Sequence, residues 1–192
     1  MMVLITGGSG SGKSAYAEAC IEALSAGCQK YYIATMQAFD EESRNRIERH
    51  RKMRDGRGFV TIEQPVEVNK AFQRMKDTPG REKTAILECV SNLTANEMFT
   101  GGGQKSCREV TETVVQGVTV LNRKLKHIVI VTNNVFQDGI AYEESTREYL
   151  KAMGSINEGL AALADRVVEV VVGIPVTVKE GTVKEGTVKE GK

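Results

Sequence analysis

Hydrophobic residues fall along the chain in two rhythms that alternate. Short apolar runs rich in β-branched residues occupy positions 2–6, 30–35, 84–89, 127–132 and 166–172. Unbroken runs of this length suit strands buried on both faces of a parallel sheet. Helix-period segments lie between them: a small-residue stretch over 13–26, then a stripe of Val110, Val114, Val118, Leu121 and Leu125, then another of Leu150, Met153, Ile156, Leu160 and Leu163. Side chains three and four apart share one helix face, so both stripes predict helices packed on a core. The alternation predicts an α/β fold, a mostly parallel sheet with helices on both faces.

Two stretches break the pattern. Residues 40–58 carry only Ile47 and Met53 as strongly apolar positions, which predicts an exposed helix and loop rather than a core element. The C-terminus repeats Thr-Val-Lys-Glu-Gly at 177–181, 182–186 and 187–191. So short a repeat has too little apolar surface to fold alone. The first copy is expected to complete an edge strand after Gly173, Ile174 and Pro175. The domain expected is therefore a single one over 1–179, followed by a repetitive tail over 180–192.

Composition narrows the function. The 192 residues hold 26 basic and 25 acidic side chains, a formal charge of +1, so no overall field favours nucleic acid or an anionic membrane. No apolar run approaches the length of a membrane span, and the N-terminal residues lack the basic region of a signal peptide. Cys20, Cys28, Cys89 and Cys107 show no C-x-x-C spacing and read as reduced thiols. A cytoplasmic location is expected.

The chemistry starts between the first strand and the first helix. Gly7, Gly8, Ser9, Gly10, Ser11, Gly12, Lys13 and Ser14 spell G-x-x-x-x-G-K-S, the P-loop. Glycines let backbone N–H groups turn in around phosphate oxygens, the lysine reaches the β- and γ-phosphates, and the serine hydroxyl binds Mg²⁺. A second metal-side carboxylate is needed at the end of another strand, and Glu88 closes the run that starts at Thr84. His50 lies among Arg46, Arg49, Arg51, Lys52 and Arg54; neighbouring cations would lower its pKa and attract a phosphate, although a solvated histidine on a charged helix has the same pattern. His127 opens an apolar strand and reads as structural.

Together these residues resemble the bifunctional adenosylcobinamide kinase / adenosylcobinamide-phosphate guanylyltransferase family. The likeness takes in Ile5 to Ser14 with Ala17 and Glu18, then Tyr32, Ile33, Ala34 and Thr35, then Arg46, Ile47, His50 and Arg54. Thr61, Glu63 and Pro65 follow, then Leu87, Glu88, Cys89 and Asn96, then Val131, Thr132 and Asn133. It ends with Gly154, Asn157, Leu160, Ala161, Ala164, Asp165 and Gly173 to Pro175. The resemblance implies a RecA-like P-loop fold assembling as a trimer, ATP and GTP as nucleotide substrates, and a corrinoid as acceptor. It implies that His50 carries GMP covalently, and that Ala34, Thr35, Met36, Arg51, Lys52, Met53, Arg54, Glu63 and Glu88 join the P-loop in contacting nucleotide.

The chain departs from the family where Asn133, Asn134, Val135 and Phe136 stand in place of Asn-Glu-Val-Gly, with a one-residue insertion near Asp138. Phe59 stands where a tryptophan is common. The changed segment keeps open a kinase of the same fold without guanylyl transfer. A nucleotide-dependent switch is the third reading.

Overall fold

The five apolar runs become strands whose alternate side chains enter two separate cores. The computed structural model describes residues 1–38, 40–134 and 142–181, apart from the side chains of Arg46, His50 and Met53. Val135, Phe136, Asp138 and the second and third Thr-Val-Lys-Glu-Gly copies lie outside the described residues. The strands are β1 (Met2–Thr6), β2 (Gln29–Ala34), β3 (Phe59–Glu63), β4 (Lys83–Glu88), β5 (His127–Val131), β6 (Arg166–Val171) and β7 (Ile174–Glu180). They form one sheet ordered β3-β2-β4-β5-β1-β6-β7. Every pairing is parallel except that of β6 with β7.

Helices α1 (Lys13–Leu24), α2 (Glu41–Arg54), α3 (Val90–Phe99), α4 (Cys107–Lys124) and α5 (Glu144–Leu163) complete the architecture, with a 3-10 helix at Val68–Arg74. Met2, Leu4, Ile33, Leu87 and Ile130 point to the face covered by α3, α4 and α5. Val3, Ile5, Tyr32, Ile86 and Val129 point to the other face, where Ala17 and Ile21 of α1 pack. Helix α4 starts in a capping box: Ser106 Oγ accepts from the Glu109 backbone N–H while Glu109 accepts from the Ser106 N–H. Its stripe Val110, Val114, Val118, Leu121 and Leu125 is buried as predicted. On α5 the stripe ends early, because Leu163 in the last turn is 44% exposed.

Two elements, β3 and α3, differ from the sequence expectations, while α2 is the exposed helix expected over 40–58. Strand β3 was not foreseen, because Phe59–Glu63 interleaves exposed Val60 and Thr61 with buried Ile62 at the sheet edge. Helix α3 begins immediately after β4, too close to the strand for its period to stand out. Helix α2 is exposed over most of its length, with Asp40 capping it by accepting from Ser43 N–H. Its one buried described side chain is the cation Arg54. The first Thr-Val-Lys-Glu-Gly copy does join an edge strand, β7.

Order β4-β5-β1 has a consequence for the site. β5 separates the strand that leads into the P-loop from the strand that ends in Glu88. The connection from β1 to β2 must pass over β5 and β4, and α1 makes that crossing.

Candidate active site

The P-loop takes its shape from glycines at two constrained points. Gly7 has φ +149°, and a Cβ there would collide with the Val170 carbonyl oxygen. Gly12, at φ +93°, sits in the left-handed region as the N-cap of α1. The β6–β7 turn braces the loop from outside, Gly173 N–H donating to Ser11 O at 2.8 Å. Asn134 N–H donates to Gly7 O at 3.1 Å, tying the residues after β5 to the same loop.

The first turn of α1 supplies the reactive side chains. Lys13, only 7% exposed, donates from Nζ to Gly8 O at 2.5 Å. Burial lowers its pKa, opposed by Cys89 and Glu88. Ser14 Oγ donates to Glu88 Oε1 at 2.5 Å, and Glu88 Oε2 is buried without a hydrogen-bond partner. A hydroxyl and a carboxylate with a spare buried oxygen suit a hard divalent cation. Among the described residues no group of three or more His, Cys, Asp or Glu could hold a metal ion. A cation on Ser14 and Glu88 would therefore complete its shell with phosphate and water, as Mg²⁺ does.

Glu88 is itself held in place. Thr35, fully buried after β2, donates from Oγ1 to Cys89 O and accepts there from Cys89 N–H, both at 2.8 Å. Its own N–H donates to Glu88 O at 3.0 Å, and its carbonyl accepts from Asn96 Nδ2 at 2.8 Å. Thr35 thus clamps the end of β4 from behind and is not among the residues that line the cavity.

A cavity of about 280 Å³ opens at the carboxyl ends of the strands, where parallel α/β sheets bind their ligands. Ser9, Gly10, Lys13 and Ser14 form one wall and Ala34, Met36 and Glu63 another. Glu88 and Cys89 lie at its base with Tyr32, whose phenol is held protonated first by burial and then by the charge of Glu88. Arg49, Arg51 and Arg54 with Ile47 bring α2 over the cavity. Arg54 is 6% exposed, its guanidinium carbon 3.4 Å from the Tyr32 ring centroid, and its Nε and Nη1 have no partner. Arg51 pairs with Glu63.

Lys52 sits apart from this cavity, and His50 and Met53 fall partly outside the described residues. Lys52 pairs with Glu48 at 2.9 Å and is 77% exposed on a different side of α2, so it does not line this cavity. His50 belongs to α2, on the cavity-roofing helix, but its side chain and that of Met53 lie outside the described residues. His127 opens β5 away from the cavity, with Nδ1 buried and unpartnered.

Sequence reading missed Tyr32, Ser91, Asn92 and Asn133 as cavity residues. Ser91 accepts from Asn133 Nδ2 at 2.8 Å, and Cys89 Sγ lies 3.0 Å from Ser91 Oγ. For Ser91, Asn92 and Asn133 the available signal was positional, since each follows the carboxyl end of a predicted parallel strand, whereas Tyr32 lies within β2 and carried no such signal.

Comparison with known proteins agrees with this picture. The model of a family described as cobinamide kinase / cobinamide phosphate guanyltransferase matches residues 3–178. The chain is 34% identical over 188 residues to the bifunctional adenosylcobalamin biosynthesis protein CobU of Escherichia coli (strain K12), covering 93% of this chain and 100% of that one. It is 32% identical over 194 residues to the protein of the same name from Salmonella typhimurium, again covering 93% and 100%. Among solved structures, one ATPase domain superposes with a TM-score of 0.50 at 11% identity, over 88% of this chain and 68% of that one. That likeness concerns the α/β P-loop fold alone. Among the described residues no helix is long and apolar enough to cross a membrane. On the extent of the family match and the identity to full-length relatives, the chain belongs to the cobinamide kinase / cobinamide phosphate guanyltransferase family.

Proposed function

We propose that one domain over residues 1–179 phosphorylates adenosylcobinamide with ATP or GTP and then transfers GMP from GTP, through His50, to give adenosylcobinamide-GDP in cobalamin biosynthesis. The observation that carries this reading is the meeting of Ser14 and Glu88 at 2.5 Å beside Lys13, under the arginines of α2, in one cavity. Both half-reactions are phosphorus displacements, in which the protein's work is positioning and neutralising charge.

In the first, the alcohol of the acceptor attacks the γ-phosphorus, losing its proton as the nucleoside diphosphate leaves. Lys13 neutralises charge on the transferred group, and the P-loop backbone holds the phosphates. A Mg²⁺ ion bound to Ser14 and Glu88 would supply further neutralisation at the phosphate oxygens.

In the second, an imidazole nitrogen of His50 attacks the α-phosphorus of GTP and pyrophosphate departs. The phosphate of the acceptor then attacks the histidine-bound phosphorus, freeing His50 and forming the pyrophosphate bond of the product. A covalent histidine divides one difficult displacement into two easier ones. Arg49, Arg51 and Arg54 line the same cavity as the P-loop, which suits them to hold the triphosphate and the departing pyrophosphate.

We further propose that the chain assembles as a trimer. Ile174, Val176 and Val178 on β7 are 63%, 48% and 63% exposed, an apolar edge strand of the kind that subunits cover.

The test uses GTP labelled at the α-phosphorus. Acid-labile, base-stable label is expected on the wild-type protein and absent from His50→Ala. Label persisting in that variant would overturn the assignment of His50.

A further inference from the structure

Helix α2 roofs the cavity without joining either apolar core. None of its described residues belongs to the buried clusters on the two faces of the sheet. Its attachment near the C-terminal end is polar: Arg54 stacks on Tyr32, Arg51 pairs with Glu63, and Arg57, in the turn closed by Arg57 N–H donating to Arg54 O at 3.1 Å, reaches Glu18. The last contact binds the end of α2 to the P-loop helix, with Glu22 of α1 also 3.9 Å from the same Arg57 nitrogen. Glu18 lies four residues after Ser14, on the same face of α1.

Glu18 is an unusual side chain for that position. It is 1% exposed, takes Arg57 Nη1 at 2.6 Å on Oε2, and leaves Oε1 buried with no partner. Arg54, beside it, keeps two unpartnered donors. A buried carboxylate with an unmatched oxygen costs folding energy, and an apolar residue of similar size would serve packing better. Burial pushes its pKa up despite Arg57 and Arg54, so the charge is held there against its solvation preference.

We propose that Glu18 is the positioning residue that fastens the His50-bearing helix to the P-loop helix, and so sets guanylyl transfer without taking part in phosphorylation. The inference rests on the reading of His50 as the GMP carrier. Glu18 is not among the residues that line the cavity, so it acts through Arg57 and the neighbouring Arg54. Its loss lets α2 sample other placements, which lowers the fraction of molecules with His50 aligned on the α-phosphorus.

The experiment compares wild type, Glu18→Gln, Arg57→Gln and the double variant in two assays: label uptake from α-labelled GTP, and phosphorylation of cobinamide by γ-labelled ATP. For either single variant the rate of label uptake is expected to fall about tenfold or more, the weight of one charged hydrogen bond. Phosphorylation is expected to change less than about threefold, and the double variant to be no worse than the singles. Arg57 is 44% exposed, so Arg57→Gln provides a folded variant even if Glu18→Gln does not. Equal label uptake by wild type and both single variants would overturn the positioning role, as would a parallel fall of both activities with the melting temperature. A wild-type protein that takes no acid-labile label removes the His50 reading and this inference together. Normal wild-type labelling that is indifferent to Glu18 and Arg57 removes this inference alone.

Discussion

Ser14 Oγ donates to Glu88 Oε1 at 2.5 Å although 74 residues and an intervening strand separate them. The pair exists because α1 crosses over β5 and sets its first turn against the end of β4. Removing the charge should therefore weaken a divalent cation without disturbing the fold. Glu88→Gln is expected to raise the Mg²⁺ concentration for half-maximal phosphorylation by about tenfold or more, since a charged interaction is lost. A Mg²⁺ titration of initial rates reads the shift.

Lys13 sits over the loop with its ammonium on the Gly8 carbonyl. Lys13→Met keeps the stem and removes the charge, so kcat for phosphorylation is expected to fall by about 10²–10³-fold. Far-ultraviolet circular dichroism should stay unchanged, which separates lost chemistry from lost structure.

Gly7→Ala tests the shape of the loop rather than its chemistry. The new Cβ would run into the Val170 carbonyl oxygen in a φ +149° backbone. Strain of about 1–3 kcal/mol is expected, as a lower melting temperature together with weakened nucleotide binding. Calorimetry and fluorescent-nucleotide titration read the two effects.

Thr35→Val removes the hydroxyl that serves both Cys89 N–H and Cys89 O. A buried backbone donor left unsatisfied costs about 1–3 kcal/mol, so the urea midpoint should fall. Thr35→Ser, which keeps the hydroxyl, should recover most of the loss.

The Glu18 carboxyl has a raised pKa, first from burial, then from Glu88 and Glu22, with Arg57 and Arg54 opposing. A carboxyl with a raised folded-state pKa contributes stability that is present at low pH, below its unfolded value. That contribution is lost as pH rises through the folded value. Glutamine cannot ionise and keeps its contribution. The melting temperature of Glu18→Gln minus that of wild type is thus expected to grow as the pH rises above the ordinary glutamate range, measured by scanning calorimetry. A difference that shrinks over that rise would contradict the stated cause.

Much of the architecture was legible because its signals are local. Five β-branched runs predicted β1, β2, β4, β5 and β6 to within a residue at most ends, since a strand buried on both faces admits little else. The P-loop was legible for the same reason: its glycines, lysine and serine act within eight consecutive positions. Strand β3 was not, because an edge strand needs only Ile62 buried and so leaves little pattern. The clamp of Thr35 on Cys89 was not legible, because a hydroxyl in a motif looks the same whether it faces a ligand or a neighbouring strand end.

By itself the sequence determined the alternating fold, the phosphate loop, and the residue types Glu88, His50 and their arginine neighbours. Only the tertiary structure decided that Ser14 meets Glu88 across β5, that Lys52 leaves the cavity while Arg54 is buried against Tyr32, and that Glu18 ties α2 to α1 through Arg57. Backbone preference and hydrophobic period act over a few residues. Charge pairing and burial depend on which elements the sheet order sets side by side.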